Sequence, residues 1–405
     1  MQRFYFLVIV LFSFISCTQK QELNTGNWLV SLEISEHQTL PFKMLLRKNN
    51  TTDYIAEVYN AEEIITVDEI RIDHDSIFIQ MPVFEGYLKG VFTENEIKGV
   101  FVKESLDRIV PFTAKNGIVD RFMVKNAAQN NITGTWETIF SKETDDAYIA
   151  KGIFEQQGDL VTGTFRTTTG DYRFLEGVVS GDSLKLSAFD GAHAFLFTAK
   201  VTDSTLNGMF YSGNHWKEPF VAKRNDNFEL PDANKLTYLR EGYDQLVFSF
   251  PDVNGNLISL QDDAFKDKVT VVQIMGTWCP NCLDETKFYA AFQEQNPNLA
   301  VAFVGLAFEY AKTEEKAFKS IQRLKDRIGV DYAILLAQYG TSDKKKAQEK
   351  LPMLNHVLSY PTSIFIDKKG VIRKIHTGFN GPATGEKYTA FKEEFSAFVT
   401  MLAKE

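Results

Sequence analysis

Cysteine is scarce in this chain: there are three among 405 residues, Cys17, Cys279 and Cys282. Three cannot build the framework of structural disulfides that staples small exported domains. Histidine numbers six, and the two nearest the Cys279/Cys282 pair, His356 and His376, do not form a spaced ligand pair. Zinc asks for four ligands, so no metal is expected. Positive charge is in deficit. A formal net charge of −9 argues against a nucleic-acid partner. The apolar run Phe4–Phe12 is too short to cross a bilayer as a lone helix.

What remains is an ordinary globular composition, 44% apolar and 24% charged, long enough for two or three domains. Aromatics reach 13%, with 34 Phe, which suits a chain rich in strands. Met1–Cys17 reads as a targeting segment: Arg3 supplies the positive start, Phe4–Phe12 the apolar centre, and Phe14-Ile15-Ser16-Cys17 the end. The ending resembles a bacterial lipoprotein signal. That resemblance implies Cys17 as the lipidated N-terminus, a membrane anchor of several acyl chains, and residues 18–25 as a tether. The competing reading is a secretory signal with an incidental cysteine.

Residues 26–225 carry an internal repeat. Gly26-Asn27-Trp28 returns as Gly134-Thr135-Trp136, Asp75-Ser76-Ile77 as Asp182-Ser183-Leu184, and Pro111-Phe112-Thr113-Ala114-Lys115 as Pro219-Phe220-Val221-Ala222-Lys223, at an offset of about 108 residues. Each copy, 26–116 and 131–225, is a run of short strands separated by turn dipeptides such as Gly158-Asp159 and Gly181-Asp182. Consecutive hairpins suggest an antiparallel meander, and about eight strands can close into a small barrel. The G-x-W opening resembles the lipocalin/avidin-like group. A ligand cup and a Phe-filled spacer or docking module are the two readings, and small barrels rich in Phe favour the second. Residues 226–245 read as a linker.

The chemistry sits in Val269–Glu285. An apolar run, Val269–Met275, predicts a buried strand. Gly276-Thr277 breaks it, and Trp278-Cys279-Pro280-Asn281-Cys282 opens a helical pattern. A strand feeding a helix through C-x-x-C is a redox signature. Free N–H groups at a helix start favour negative charge on the first cysteine, and the thiolate is the species that attacks a disulfide. Cys279 is therefore the expected nucleophile and Cys282 the resolving thiol, with Trp278 covering the junction. The cofactor expected is none beyond this redox-active pair.

From about Phe248 onward the chain resembles the TlpA/ResA-like branch of the thioredoxin superfamily, within the AhpC/TSA-redoxin group. The motif above carries the likeness, together with Tyr360-Pro361-Thr362 before Ser363-Ile364-Phe365-Ile366-Asp367. The resemblance implies an α/β thioredoxin-like domain over 246–405 behind the all-β repeat, a multidomain chain. It implies that Pro361 is cis, and that the exposed backbone of Tyr360 can pair with a substrate strand. Asp331–Ser359 reads as an insertion. Where thioredoxins keep a buried acid, this chain has Gln273. Lys287 stands where a proline usually kinks the active-site helix. Glu309 and Glu285 are the candidate proton carriers.

The expected function is a lipid-anchored thiol–disulfide oxidoreductase facing the periplasm, reducing protein disulfides and recharged by a membrane thiol donor. Two alternatives stand beside it. A thiol peroxidase of the redoxin group would want an arginine near Cys279, and none is close in sequence. A binding module would use the β repeats to grip an apolar ligand or a protein, with the thiols a minor activity.

Overall fold

The computed structural model describes residues 22–49 and 53–405; Cys17 and the expected leader lie outside them. Among the described residues no helix is long and apolar enough to cross a membrane, and no group of three or more potential metal ligands occurs.

The first repeat is a nine-stranded antiparallel sheet running from Gly26–Ser35 to Arg108–Asn116. Its opening strand shows why it curls. Trp28, Val30, Leu32 and Ile34 alternate inward and are buried, the period of two that a half-buried strand demands. The two ends of the sheet are neighbours in sequence: Glu63–Val67 and Glu69–Asp73 are separated by Asp68 alone, yet each pairs only with a strand on its other side. The sheet is barrel-like with a seam at Asp68.

The second repeat closes completely. Gly134–Phe140 pairs with Tyr148–Gln157 on one side and Trp216–Arg224 on the other, completing an eight-stranded barrel. The dipeptides Gly158-Asp159 and Gly181-Asp182 fall in turns between strands, as the sequence predicts. The interior is filled: Trp136, Phe140, Phe154, Phe165, Phe197 and Phe220 are fully buried and pack edge to face, Phe154 on Phe165 at 5.2 Å and Phe140 on Phe165 at 5.5 Å. The repeat shows in detail as well. Trp28 Nε1 donates to Asn24 O at 3.1 Å, and Trp136 Nε1 donates to Ile132 O at 2.8 Å, the same four-residue reach in both copies. The modules are joined by Phe189, which stacks on Phe42 at 4.1 Å and exchanges two hydrogen bonds with Asn60.

The C-terminal unit starts with a short hairpin, Ser249–Pro251 with Leu257–Ser259, with Asn254-Gly255 in its turn. A five-stranded sheet follows, in the order Ala333–Gln338, Val301–Phe308, Val269–Met275, Thr362–Ile366, Ile372–Thr377. The first three strands are parallel and the last two antiparallel. Every residue of the central Val269–Met275 is buried, which is why it reads as a continuous apolar run rather than an alternating one. The helices are α1 (Pro280–Gln295), α2 (Glu314–Ile328), α3 (Lys344–Lys350) and α4 (Glu386–Lys404). Asp331–Ser359 is not wholly an insertion: it contributes the edge strand Ala333–Gln338 and α3. No proline interrupts α1 at Lys287, and the helix runs unbroken for 16 residues.

The C-terminal unit is docked on both β modules. From α2, Arg323 and Arg327 reach Glu69, and Arg327 reaches Asp68 at 2.9 Å. The helix therefore lies across the seam where the first sheet fails to close.

Candidate active site

The strand Val269–Met275 delivers the chain to the surface of the sheet, and Gly276 turns it. A Cβ at Gly276 would run into the Trp278 indole, so only glycine lets the ring fold back there. Trp278 Nε1 donates to Phe308 O at 2.9 Å, and its ring lies 5.5 Å from Tyr310 and 5.6 Å from Tyr360.

Cys279 is the N-cap of α1. Its Sγ accepts the Cys282 N–H at 3.2 Å and faces the Tyr360 carbonyl at 3.3 Å. A cap sulfur in this position satisfies one of the orphan donors of the first helical turn. Both cysteines are free thiols. Cys279 is 6% exposed and Cys282 is completely buried. Burial pushes the Cys282 thiol well above its ordinary range, and the neighbouring Cys279 adds to the shift. The Tyr360–Pro361 peptide is cis, and it stands directly against the first thiol through Tyr360 O.

The two candidate proton carriers are both buried, in different places. Glu285 lies one turn beyond Cys282 and accepts hydrogen bonds from Gln273 at 2.8 Å, Tyr289 at 2.9 Å and Ser363 at 2.9 Å. Burial raises its carboxyl to about 7, against the pull of those three donors. Gln273 also donates to Cys282 O at 3.1 Å, so one amide links the backbone of the second cysteine to the acid. Glu309 accepts both the N–H and the hydroxyl of Thr277 at 2.7 Å, and burial lifts it too to about 7. It braces the turn before Trp278.

Sequence reasoning missed the residues that the second barrel contributes. Asn281 donates to Asp171 O at 3.2 Å, and Ser359, just before the cis peptide, donates to Thr169 O at 2.8 Å. Asp171 accepts from Gly381 N–H at 2.6 Å, and Arg166 donates to Asn380 at 2.9 Å. The turn-rich segment 378–385, after the last strand, is thus a docking surface for the barrel. Arg173 pairs with Asp284 on α1 and with Glu63 of the first sheet at 2.5 Å. Burial disfavours its charge, but Asp284, Glu63, Asp171 and Asp190 outweigh that and hold it protonated. These contacts join residues over a hundred positions apart in sequence, and no local pattern announces them.

Similarity to known proteins falls where this geometry lies. The Redoxin family matches residues 229–390, C-terminal to both β modules. The thioredoxin-like protein YneN of Bacillus subtilis (strain 168) is 31% identical over 146 residues, covering 36% of this chain and 76% of its own length. The thiol-disulfide oxidoreductase ResA of Halalkalibacterium halodurans is 27% identical over 148 residues, 34% of this chain and 69% of that protein. Among solved structures, a thioredoxin-family thiol:disulfide interchange protein from Chlorobium tepidum TLS is 19% identical and covers 40% of this chain and 98% of its own, with a TM-score of 0.30.

Proposed function

Since the chain belongs to the Redoxin family of thioredoxin-like thiol–disulfide oxidoreductases, we propose that it is a reductase of protein disulfides in which Cys279 attacks and Cys282 resolves. The arrangement at the start of α1 supports this best: one sulfur caps the helix, touches the second cysteine's N–H and lies against the carbonyl of Tyr360. The Cys279 thiolate attacks one sulfur of a substrate cystine, the substrate S–S bond breaks, and one substrate thiolate leaves. Cys282 then attacks Cys279 Sγ and expels the second substrate thiol. Two electrons have passed to the substrate, and the chain holds a Cys279–Cys282 disulfide.

Cys282 must lose its proton for the second step. Glu285, linked through Gln273 to the backbone carbonyl of Cys282 and poised at about 7, is the proposed acceptor. Glu309, committed to Thr277, is proposed to position the turn, and Trp278 and Tyr360 to form the walls that a substrate touches. The oxidised pair is recharged by a thiol donor at the membrane, to which the chain is held by a lipid on Cys17, on the periplasmic side of the envelope.

Trapping tests the assignment. Cys282→Ser should accumulate mixed disulfides with partners, whereas Cys279→Ser should not; equal trapping by both would refute the roles. The potential of the pair tests the direction of electron flow. Values near about −270 mV fit a reductant, and values near about −120 mV an oxidant.

A further inference from the structure

The buried Cys279 has different surroundings on its two sides. Towards Asn281 and Ser359 the second barrel's loop is already seated, with Asp171 O and Thr169 O taking their hydrogen bonds. Towards Trp278 a cavity of about 510 Å3 opens where the three structural units meet. Lys103 and Arg108 come from the first sheet, His215 and Trp216 from the second barrel, and Trp278 and Tyr310 from the thioredoxin-like domain. That volume suits a small organic ligand.

Two cations, Lys103 and Arg108, stand on the lining; Glu85 and Asp190 act on Lys103, and Arg108 is left without such a partner. Lys103 is buried, with its ammonium donating to Ala192 O at 2.9 Å and standing 5.7 Å from the Tyr310 ring. The Arg108 guanidinium has no hydrogen-bond or ion-pair partner among the described residues. The carboxylate on the lining, Glu218, is already engaged by the Ser141 hydroxyl at 2.6 Å and the Tyr148 hydroxyl at 2.8 Å. Burial first, and then the nearby Arg108, Lys103 and His193, hold the His215 imidazole down at about 4. An unpaired guanidinium beside aromatic faces calls for an anion on an aromatic body, since a guanidinium binds a carboxylate in a two-pronged fit and the rings stack on a flat partner.

We propose that this cavity is a substrate subsite for the carboxylate-bearing aromatic arm of a small disulfide, which the enzyme reduces in addition to protein cystines. The proposal rests on the thiol–disulfide reading above. The arm sits between Arg108 and the Trp278 ring and brings its sulfur to Cys279. Cys279 attacks that disulfide, one aromatic thiolate leaves, Cys282 displaces the second, and both products carry away the protons of the cysteine pair. A dithiol donor must then return two electrons to the enzyme.

Two measurements on the full chain test it. In the first, the reduced protein is mixed with dithiobis(nitrobenzoate), which is anionic, and with dithiodipyridine, which is neutral, and the rate ratio is taken. Arg108→Gln should lower the anionic-to-neutral ratio about tenfold, the effect of one charge-assisted hydrogen bond; an unchanged ratio overturns the subsite. The second needs no thiol chemistry. Naphthoate is titrated calorimetrically into Cys279→Ser, and the His215 imidazole is followed by NMR. Saturable binding with an upward shift of the His215 titration supports the subsite; no binding and an unmoved His215 overturn it. If instead neither disulfide oxidises the wild-type pair, the redox reading fails, while the naphthoate titration still decides the cavity.

Discussion

Arg173, on the second barrel, is ion-paired with Asp284, two residues beyond Cys282. Both side chains are buried, and the same guanidinium holds Glu63 of the first sheet. One side chain therefore fixes the active-site helix relative to two other modules.

Removing that guanidinium strands buried carboxylates. Arg173→Leu is expected to lower stability by about 3–5 kcal/mol, the effect of breaking a buried ion pair from one side. Asp284→Asn in the same chain should recover part of the loss. Urea unfolding checks this, and equal losses in the single and double variants would show that Asp284 is not the partner that matters.

A side chain at Gly170 has nowhere to go, because its Cβ would collide with the Asn281 amide. Gly170→Val should displace the barrel loop at an overpacking penalty of about 1–3 kcal/mol. It should also speed alkylation of Cys279 by iodoacetamide several-fold. If the alkylation rate does not move, the loop does not shield the thiol.

Glu285 and Glu309 bind protons more tightly folded, at about 7, than at the ordinary value of 4.5. Their contribution to stability is therefore complete below 4.5 and is lost as pH rises to about 7, with a slope near 1.4 kcal/mol per pH unit for each group, about the linkage value. Glu285→Gln should flatten its share of that slope. It should also remove an inflection near 7 from the rate at which Cys282 resolves a mixed disulfide, slowing the step by about a hundredfold, the usual scale for a lost general base. Stopped-flow resolution across this pH range is the check; a retained inflection would assign the proton to another group.

The second barrel behaves as a packed core. Phe165→Ala removes contacts to Phe154 at 5.2 Å and Phe197 at 4.9 Å. The expected cost is about 3–5 kcal/mol, as for other buried phenylalanines, with a corresponding drop in the melting temperature. An apolar ligand that refills the space and restores the melting point would instead mark the interior as a cup.

Much of this architecture was readable in the residues. The eight strands of the second barrel follow from alternation and turn dipeptides, and the strand–C-x-x-C–helix unit from a switch in period at Gly276-Thr277. The seam of the first sheet was not readable, because strand order and closure depend on pairing between distant segments, and Asp68 looks like any loop carboxylate. The edge strand Ala333–Gln338 was hidden inside an apparent insertion, since a short apolar run has no period of its own. The place of Glu285 was readable in part: it falls three residues after Cys282 and four before Tyr289, on one helix face. Arg173, Asp171 and Gly170 offered no signal, because their meaning comes from a tertiary contact across 110 residues or more.

Asn281 lies between the two cysteines, and the residues there tune how readily the pair gives up electrons. In this protein its amide is also engaged by the backbone at Asp171, so the position answers to two masters. A substitution that retunes the redox couple disturbs the joint with the barrel, and a change in the barrel loop reaches the couple. Across homologues that share this joint, the dipeptide and the loop should drift as a single heritable unit, each constraining which mutations the other tolerates.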